Sequence, residues 1–232
     1  MDLHVIPRAD DEQSCRRMAE LLRLSGYSAV ALALPTGLLH DRVTAIRRLF
    51  EEKGIRTVLR VDLSANSRAD LLRLLRRFRA LYDVVAVRCA NQIVASVACR
   101  DRRVDLIYFD PANPKVKFGH QLASLLRGAV ELNLISIFLG ETRKEMFSRV
   151  AKEAAVARVH GSRIVLSSGC SSPATVRSPL QISAIGASIG LSREQCSQGV
   201  CEVPLSIIER NQERRSRLFV EEGVKLVTPK QR

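Results

Sequence analysis

The chain has 232 residues, 46% of them hydrophobic, which is enough apolar material for a sizeable core. Lys and Arg number 37 against 24 Asp and Glu, giving +13 at pH 7 and a pI near 10.2. That self-repulsion suits a protein that meets a polyanion better than an enzyme of small metabolites, and no apolar run approaches the length of a membrane span.

The first predicted element is the apolar run Leu3–Ile6. The segment around it, MDLHVIPRADDEQ, turns acidic at once and has no apolar stretch of the secretory kind, so a cytoplasmic protein is expected. Further β-rich runs follow at Ala29–Leu34, Thr57–Leu63, Asp83–Arg88, Asp105–Asp110, Ala129–Leu134 and Arg163–Ser168. From Ala29 onward their starts are about 22–34 residues apart, room for one strand and one helix per unit. The runs are almost continuously apolar, as in parallel strands covered on both faces.

The intervening helical segments carry their own punctuation. Gly26, Gly54, Gly128 and Gly161 each precede a strand, where a helix favours a left-handed terminal residue. Thr142 with Glu145 and Ser192 with Gln195 have capping-box spacing, and Ser178-Pro179 with Gln181 adds a first-turn proline. Seven alternating units fit either a doubly wound open sheet or a barrel. With no Gly-x-Gly-x-x-Gly and no Walker loop, the barrel is favoured. The expected fold is α/β, a TIM-like (β/α) barrel of about seven parallel strands.

From Ser178 the pattern becomes mostly helical, with predicted helices at Pro179–Ile189, Arg193–Gly199 and Leu205–Arg217. Leu218–Val227 reads as one last strand. No Pro-, Gly- or Ser-rich linker intervenes, so residues 1–232 are expected to form one domain, with region 178–217 packed on the barrel.

Residues at strand C-terminal ends are the candidates for chemistry in such a barrel: His4, Asp62, Arg88, Asp110, Glu131, Asn133, Ser167 and Ser168. His4, Asp62 and Asp110 could meet at the mouth as a metal site, yet His4, His40, His120 and His160 include no His-x-His or His-Glu-x-x-His. His160, before Gly161, fits a helix C-terminus, where its charge complements the dipole. Ser167-Ser168-Gly169 lacks a nucleophile elbow and an evident base. Six cysteines at 15, 89, 99, 170, 196 and 201 form no Cys-x-x-Cys pair and read mostly as small buried thiols.

The cations are better organised. Only seven are Lys and the rest are Arg, the side chain that forks onto phosphate, although codon usage also inflates Arg. In the helix SRADLLRLLRRFRALYD, Leu71, Leu74, Leu75 and Phe78 face inward. Arg73, Arg76 and Arg77 share the opposite face, as an RNA-facing or simply solvated surface. Lys115 and Lys117 lie in DPANPKVKF, whose prolines stiffen the loop. Arg177 precedes a helix start suited to phosphate. Asn211, Arg214, Arg215 and Arg217 form a last cluster. Aromatic residues are few (4%), so contacts to RNA backbone and shape are expected rather than base stacking.

Two runs, Tyr82-Asp83-Val84-Val85-Ala86-Val87-Arg88 and Arg103-Val104-Asp105-Leu106-Ile107-Tyr108-Phe109-Asp110, resemble the thirty-kilodalton protein subunit family of ribonuclease P, in its compact archaeal form. Val130-Glu131-Leu132-Asn133-Leu134, Leu166-Ser167-Ser168-Gly169, Arg177-Ser178-Pro179, Ile185-Gly186, Ile189-Gly190 and Pro204-Leu205-Ser206-Ile207-Ile208-Glu209-Arg210-Asn211 continue the resemblance, from about Asp2 to Val227. It implies a TIM-like barrel that helps a catalytic RNA remove the 5′ leader of precursor tRNA. The RNA would carry the chemistry with Mg²⁺ at its own ligands, so no catalytic residue and no protein-bound cofactor or metal are expected. It also implies a small partner subunit, assembled as a heterotetramer, and no membrane. Arg88, Lys115, Lys117, Arg177, Arg214 and Arg215, with Arg73, Arg76 and Arg77, are the expected RNA contacts. The family is related to barrel phosphoesterases of the PHP type, which bind metals through His-x-His motifs. Here no histidine follows two positions after His4. The competing expectation is such a phosphoesterase, using His4, Asp62, Asp110 and Glu131.

Overall fold

A computed structural model describes residues 1–110, 113, 115–138, 143–216, 219–221 and 224–225. Seven parallel strands run in sequence order: β1 Asp2–Val5, β2 Ala29–Ala33, β3 Arg56–Ser64, β4 Val84–Arg88, β5 Leu106–Tyr108, β6 Ala129–Asn133 and β7 Ile164–Ser167. All seven fall on predicted runs, though β5 is shorter than expected. Beyond the ladder, Val5 pairs with Cys170, and Ile6 N donates to Cys170 O at 2.8 Å. Asp2 accepts from the Ser168 backbone and hydroxyl. Strand β1 therefore meets β7, and the sheet is a nearly closed TIM-like barrel.

Strand alternation divides the barrel into shells. Val61 and Leu63 of β3 point outward to α3 (Arg68–Phe78), whose Leu71, Leu75 and Phe78 are buried, with Leu74 only partly so. The same outer layer holds α4 (Gln92–Arg100), α5 (His120–Ala123), α6 (Ile135–Phe138), α7 (Arg143–Val159) and α8 (Pro179–Ser188). Helices α1 (Glu12–Leu24) and α2 (His40–Glu51) cover β1 and β2 through Met18, Leu22, Ile46 and Phe50. Inside, Leu3, Ala31, Val58, Val84, Ala86, Leu106, Ala129 and Val165 form an apolar plug.

The C-terminal helices complete that plug. Helix α9 (Arg193–Ser197) runs through a π-helical turn, Gln198–Glu202, into α10 (Val203–Arg215) without the expected break. Ile207 and Ile208 of α10 pack into the inner cluster. Asn211 Nδ2 donates to Asp83 O at 2.9 Å, and Arg210 meets Asp105 at 2.5 Å. Asp83 and Asp105 precede β4 and β5, so α10 seals the N-terminal end of the barrel. The predicted last strand is corrected: Phe219–Glu221 and Val224–Lys225 form a separate antiparallel pair, while 218, 222, 223, 226 and 227 lie outside the described residues.

The expected caps at Ser178 and Ser192 are present as full capping boxes; Thr142 lies outside the described residues. Gly26, Gly54 and Gly161 have the expected positive φ. Gly128 does not. A Cβ there would lie 2.6 Å from Asp105 O, so glycine is required for close approach to the neighbouring strand.

Candidate functional site

The inward face of β3 changes from apolar to charged along its length: Val58, then Arg60, then Asp62. Parallel register sets Arg60 opposite Val84 and Asp62 opposite Ala86, so both charges enter the upper interior of the barrel. His4 from β1 and Glu131 from β6 enter the same space. Arg60 Nη2 lies 2.6 Å from Glu131 Oε2 and 2.7 Å from Asp62 Oδ1, while Nη1 donates to Leu3 O at 2.8 Å. His4 Nδ1 is 2.7 Å from Glu131 Oε1, and its Nε2 is 3.4 Å from Asp62 Oδ2. Tyr108 closes the set, edge-on to His4 and beneath the Arg60 guanidinium at 5.5 Å.

These four charges cancel. Burial and Arg60 both act to lower the His4 pKa, but Glu131 and Asp62 outweigh them and raise it to about 9. Burial raises Glu131, yet Arg60 and His4 overcome it and bring the carboxyl down to about 2. Burial likewise opposes ionisation of Asp62, and Arg60 with His4 again prevails, lowering it. At neutral pH the interior thus holds two cations against two carboxylates.

That arrangement limits the chemistry available. A protonated His4 has no lone pair for a metal, and the carboxylate oxygens already hold Arg60 and His4. Among the described residues, no three His, Cys, Asp or Glu are grouped to hold a metal ion. Ser167 donates to Glu131, whose depressed pKa makes it a weak base. Ser168 is spent on Asp2 at the barrel seam. Asn133 lies 3.1 Å from His4 Nδ1. Of the four residues of the phosphoesterase expectation, His4, Asp62 and Glu131 converge, but Asp110 does not. It faces Arg88 at 3.7 Å on the rim. Arg60, the centre of the cluster, is absent from the predicted candidates.

The nine expected RNA-contacting cations fall into separate regions. Arg88 ends β4, about half exposed (48%) and salt-bridged to Asp110. Lys115 and Lys117 are exposed after β5; Pro111 and Pro114 of that loop lie outside the described residues. Lys117 borders a groove of about 760 Å³, shared with Lys144 and Lys152 of α7. Arg177 Nη1 is turned back onto Ala174 O and Val176 O, and the Ser178–Gln181 box takes up two donors of the adjoining helix start. Arg73, Arg76 and Arg77 are exposed on α3 as expected, with Arg73 held by Asp70 at 2.5 Å. Arg214 and Arg215 lie at the sealed N-terminal end, opposite Arg88. Arg88, Arg177, Arg214 and Arg215 all have protein partners; Arg215 meets Asp83 at 2.5 Å. Asn211 is buried against Asp83, and Arg217 lies outside the described residues.

Five cysteines are buried and Cys201 is exposed; none is in a disulfide. No helix among the described residues is long and apolar enough to cross a membrane.

Fold and interior together define a seven-stranded TIM-like barrel with a sealed floor and an arginine lodged among the acidic groups of its mouth. Among solved structures, a chain in a cryo-EM structure of archaeal ribonuclease P with mature tRNA matches with a TM-score of 0.83, at 16% identity over 99% of this chain and 100% of that one. A dihydroorotase from Campylobacter jejuni matches with a TM-score of 0.52, at 13% identity over 90% and 82% of the two chains. Both likenesses are of fold. The family model for RNase P subunit p30 matches residues 1–216. The chain belongs to that family. Among its relatives, ribonuclease P protein component 3 of Methanothermobacter thermautotrophicus is 29% identical over 97% of this chain and 94% of the relative. The component 3 protein of Methanosarcina barkeri is 27% identical over 90% and 87%.

Proposed function

We infer that the chain is a protein subunit of ribonuclease P and acts with its RNA in removing the 5′ leader of precursor tRNA. The family match across residues 1–216 carries this reading. The barrel interior supports its finer part. A mouth whose charges cancel, with Arg60 holding Asp62 and Glu131, offers no free general base. The RNA then performs the chemistry with Mg²⁺ at its own ligands, and this chain needs no bound cofactor. A small partner subunit, joined with this one in a heterotetramer, and a cytoplasmic setting belong to the same proposal. A chain of the same fold in the archaeal ribonuclease P structure with mature tRNA supports placing this one in such a particle.

The RNA contacts proposed are Arg88, Lys115, Lys117, Arg177, Arg214 and Arg215, with the α3 arginines Arg73, Arg76 and Arg77 as a further surface. The +13 net charge supports them, because each neutralised phosphate releases counterions. Single alanine substitutions are expected to flatten the dependence of log K on log salt by about one unit where a phosphate contact is lost. Titrations of ribonuclease P RNA at several salt concentrations measure this. Lys115→Ala and Lys117→Ala are expected to show it most cleanly, since both side chains are exposed. An unchanged slope in every single variant would remove the assignment.

A further inference from the structure

The sealed N-terminal end of the barrel carries a second concentration of cations. A cleft of about 200 Å³ lies there between α10 and the turns that lead into β5 and β6. Its walls are Arg102, Val104, Arg127, Arg210 and Arg214, so among the described residues the only apolar lining residue is one buried valine. Arg102 and Arg127 are exposed and have no ion pair among the described residues. The nearby carboxylates are already engaged. Asp105 is held between Arg79 and Arg210, both at 2.5 Å, and Asp101 is chelated by Arg103 at 2.6 Å.

A second observation is independent of this crowding. Arg210 Nε is shielded from solvent and has no hydrogen-bond partner among the described residues. A buried guanidinium donor without an acceptor is costly, and an anion entering the cleft would relieve it. The positive field reaches Arg163 as well: burial, and then the charge of Arg210, lowers its pKa.

We propose that this cleft binds a backbone phosphate of structured RNA, through Arg102, Arg127 and Arg214 with Arg210 beneath them. The proposal rests on the reading of the chain as a ribonuclease P subunit. It adds Arg102, Arg127 and Arg210 to Arg214 as one phosphate site at the end of the barrel opposite Arg88 and Lys115. Phosphate suits the cleft better than an acidic peptide, because guanidinium forks match phosphate oxygens and there is almost no apolar wall to anchor side chains. Shape and backbone recognition of this kind is the usual way to bind folded RNA.

The test uses the full chain and the Arg102→Ala/Arg127→Ala double variant. Neither side chain bonds within the described residues, so the variant is expected to fold with an unchanged melting curve. Binding to ribonuclease P RNA is measured across salt concentrations, beside Lys115→Ala as a variant of the opposite end. The proposal expects the salt slope to fall by about one to two units in the double variant, with protection of a distinct RNA segment lost relative to Lys115→Ala. It is overturned if wild type binds and the double variant keeps the full slope. It is also overturned if the variant binds RNA normally but no longer associates with the small partner protein, since a protein then occupies the cleft. Failure of wild type to bind this RNA at all would overturn the subunit reading itself and the cleft with it.

Discussion

Replacing Arg60 with methionine is expected to destabilise the protein by about 3–5 kcal/mol, the usual penalty for stranding the partner of a buried ion pair. Arg60 is fully buried and makes bonds to Asp62, Glu131 and the Leu3 carbonyl. Methionine fills comparable volume but leaves Glu131 buried with only His4 and Ser167 as partners. Two carboxylates would then face one imidazolium. Arg60→Lys is expected to recover only part of the loss, because one ammonium cannot reproduce a fork that reaches three acceptors. Urea unfolding at neutral pH measures both. A loss below about 1 kcal/mol for Arg60→Met would mean that the interior is held by packing and that the charge quartet is dispensable.

Alkaline pH is expected to weaken the fold through His4. Its pKa rises from 6.5 to about 9 in the folded protein, against the opposing effects of burial and Arg60, because Glu131 and Asp62 face it. A group raised on folding contributes its full stability below the unfolded value. That contribution declines above 6.5 and is lost as pH passes about 9. The interval corresponds to about 3 kcal/mol. Glu131 acts in the opposite sense. Its pKa is depressed to about 2, so its contribution is present above 4.5 and lost as pH falls through about 2. The part-buried Met1 amine, with a pKa lowered by burial, adds a rise in stability toward pH 8 and partly masks the decline from His4. The difference between wild type and His4→Gln is therefore the informative quantity. Unfolding free energies from pH 6 to 9 are expected to converge for the two proteins as pH rises. Parallel curves would show that folding leaves the His4 pKa unshifted, and the charge cancellation would fail with it.

The barrel was legible because parallel strands covered on both faces leave a nearly unbroken apolar text, as in Val84–Val87, and because Ser178 and Ser192 sit at capping spacing. The C-terminal helices were legible as helices but not as the floor of the barrel. Their role depends on Ile207 and Ile208 meeting Val84 and Leu106 across more than a hundred residues. His4, Asp62 and Glu131 were visible as strand-end polar residues. Arg60 was not singled out, although its alternation with Val58 and Asp62 on β3 is a signal that could have found it. Asp110 was grouped with them from position alone, but it lies at the rim with Arg88. That the expected RNA-contacting cations divide between two ends of the barrel was not legible, because strand order says nothing about where α10 turns back. Arg102 and Arg127 gave no signal beyond charge, since their proximity arises only when the turns before β5 and β6 stand side by side.

Under the proposed function this barrel assists an RNA enzyme and does not cleave by itself. Its most direct test is precursor-tRNA cleavage in a mixture of ribonuclease P RNA, the small partner subunit, Mg²⁺ and this chain, with each component omitted in turn. Cleavage at the mature 5′ end is expected to require the RNA, to rise strongly when this chain is added, and to be absent with the chain and Mg²⁺ alone. Cleavage by the chain without RNA, or no change in rate when the chain is left out, would contradict it.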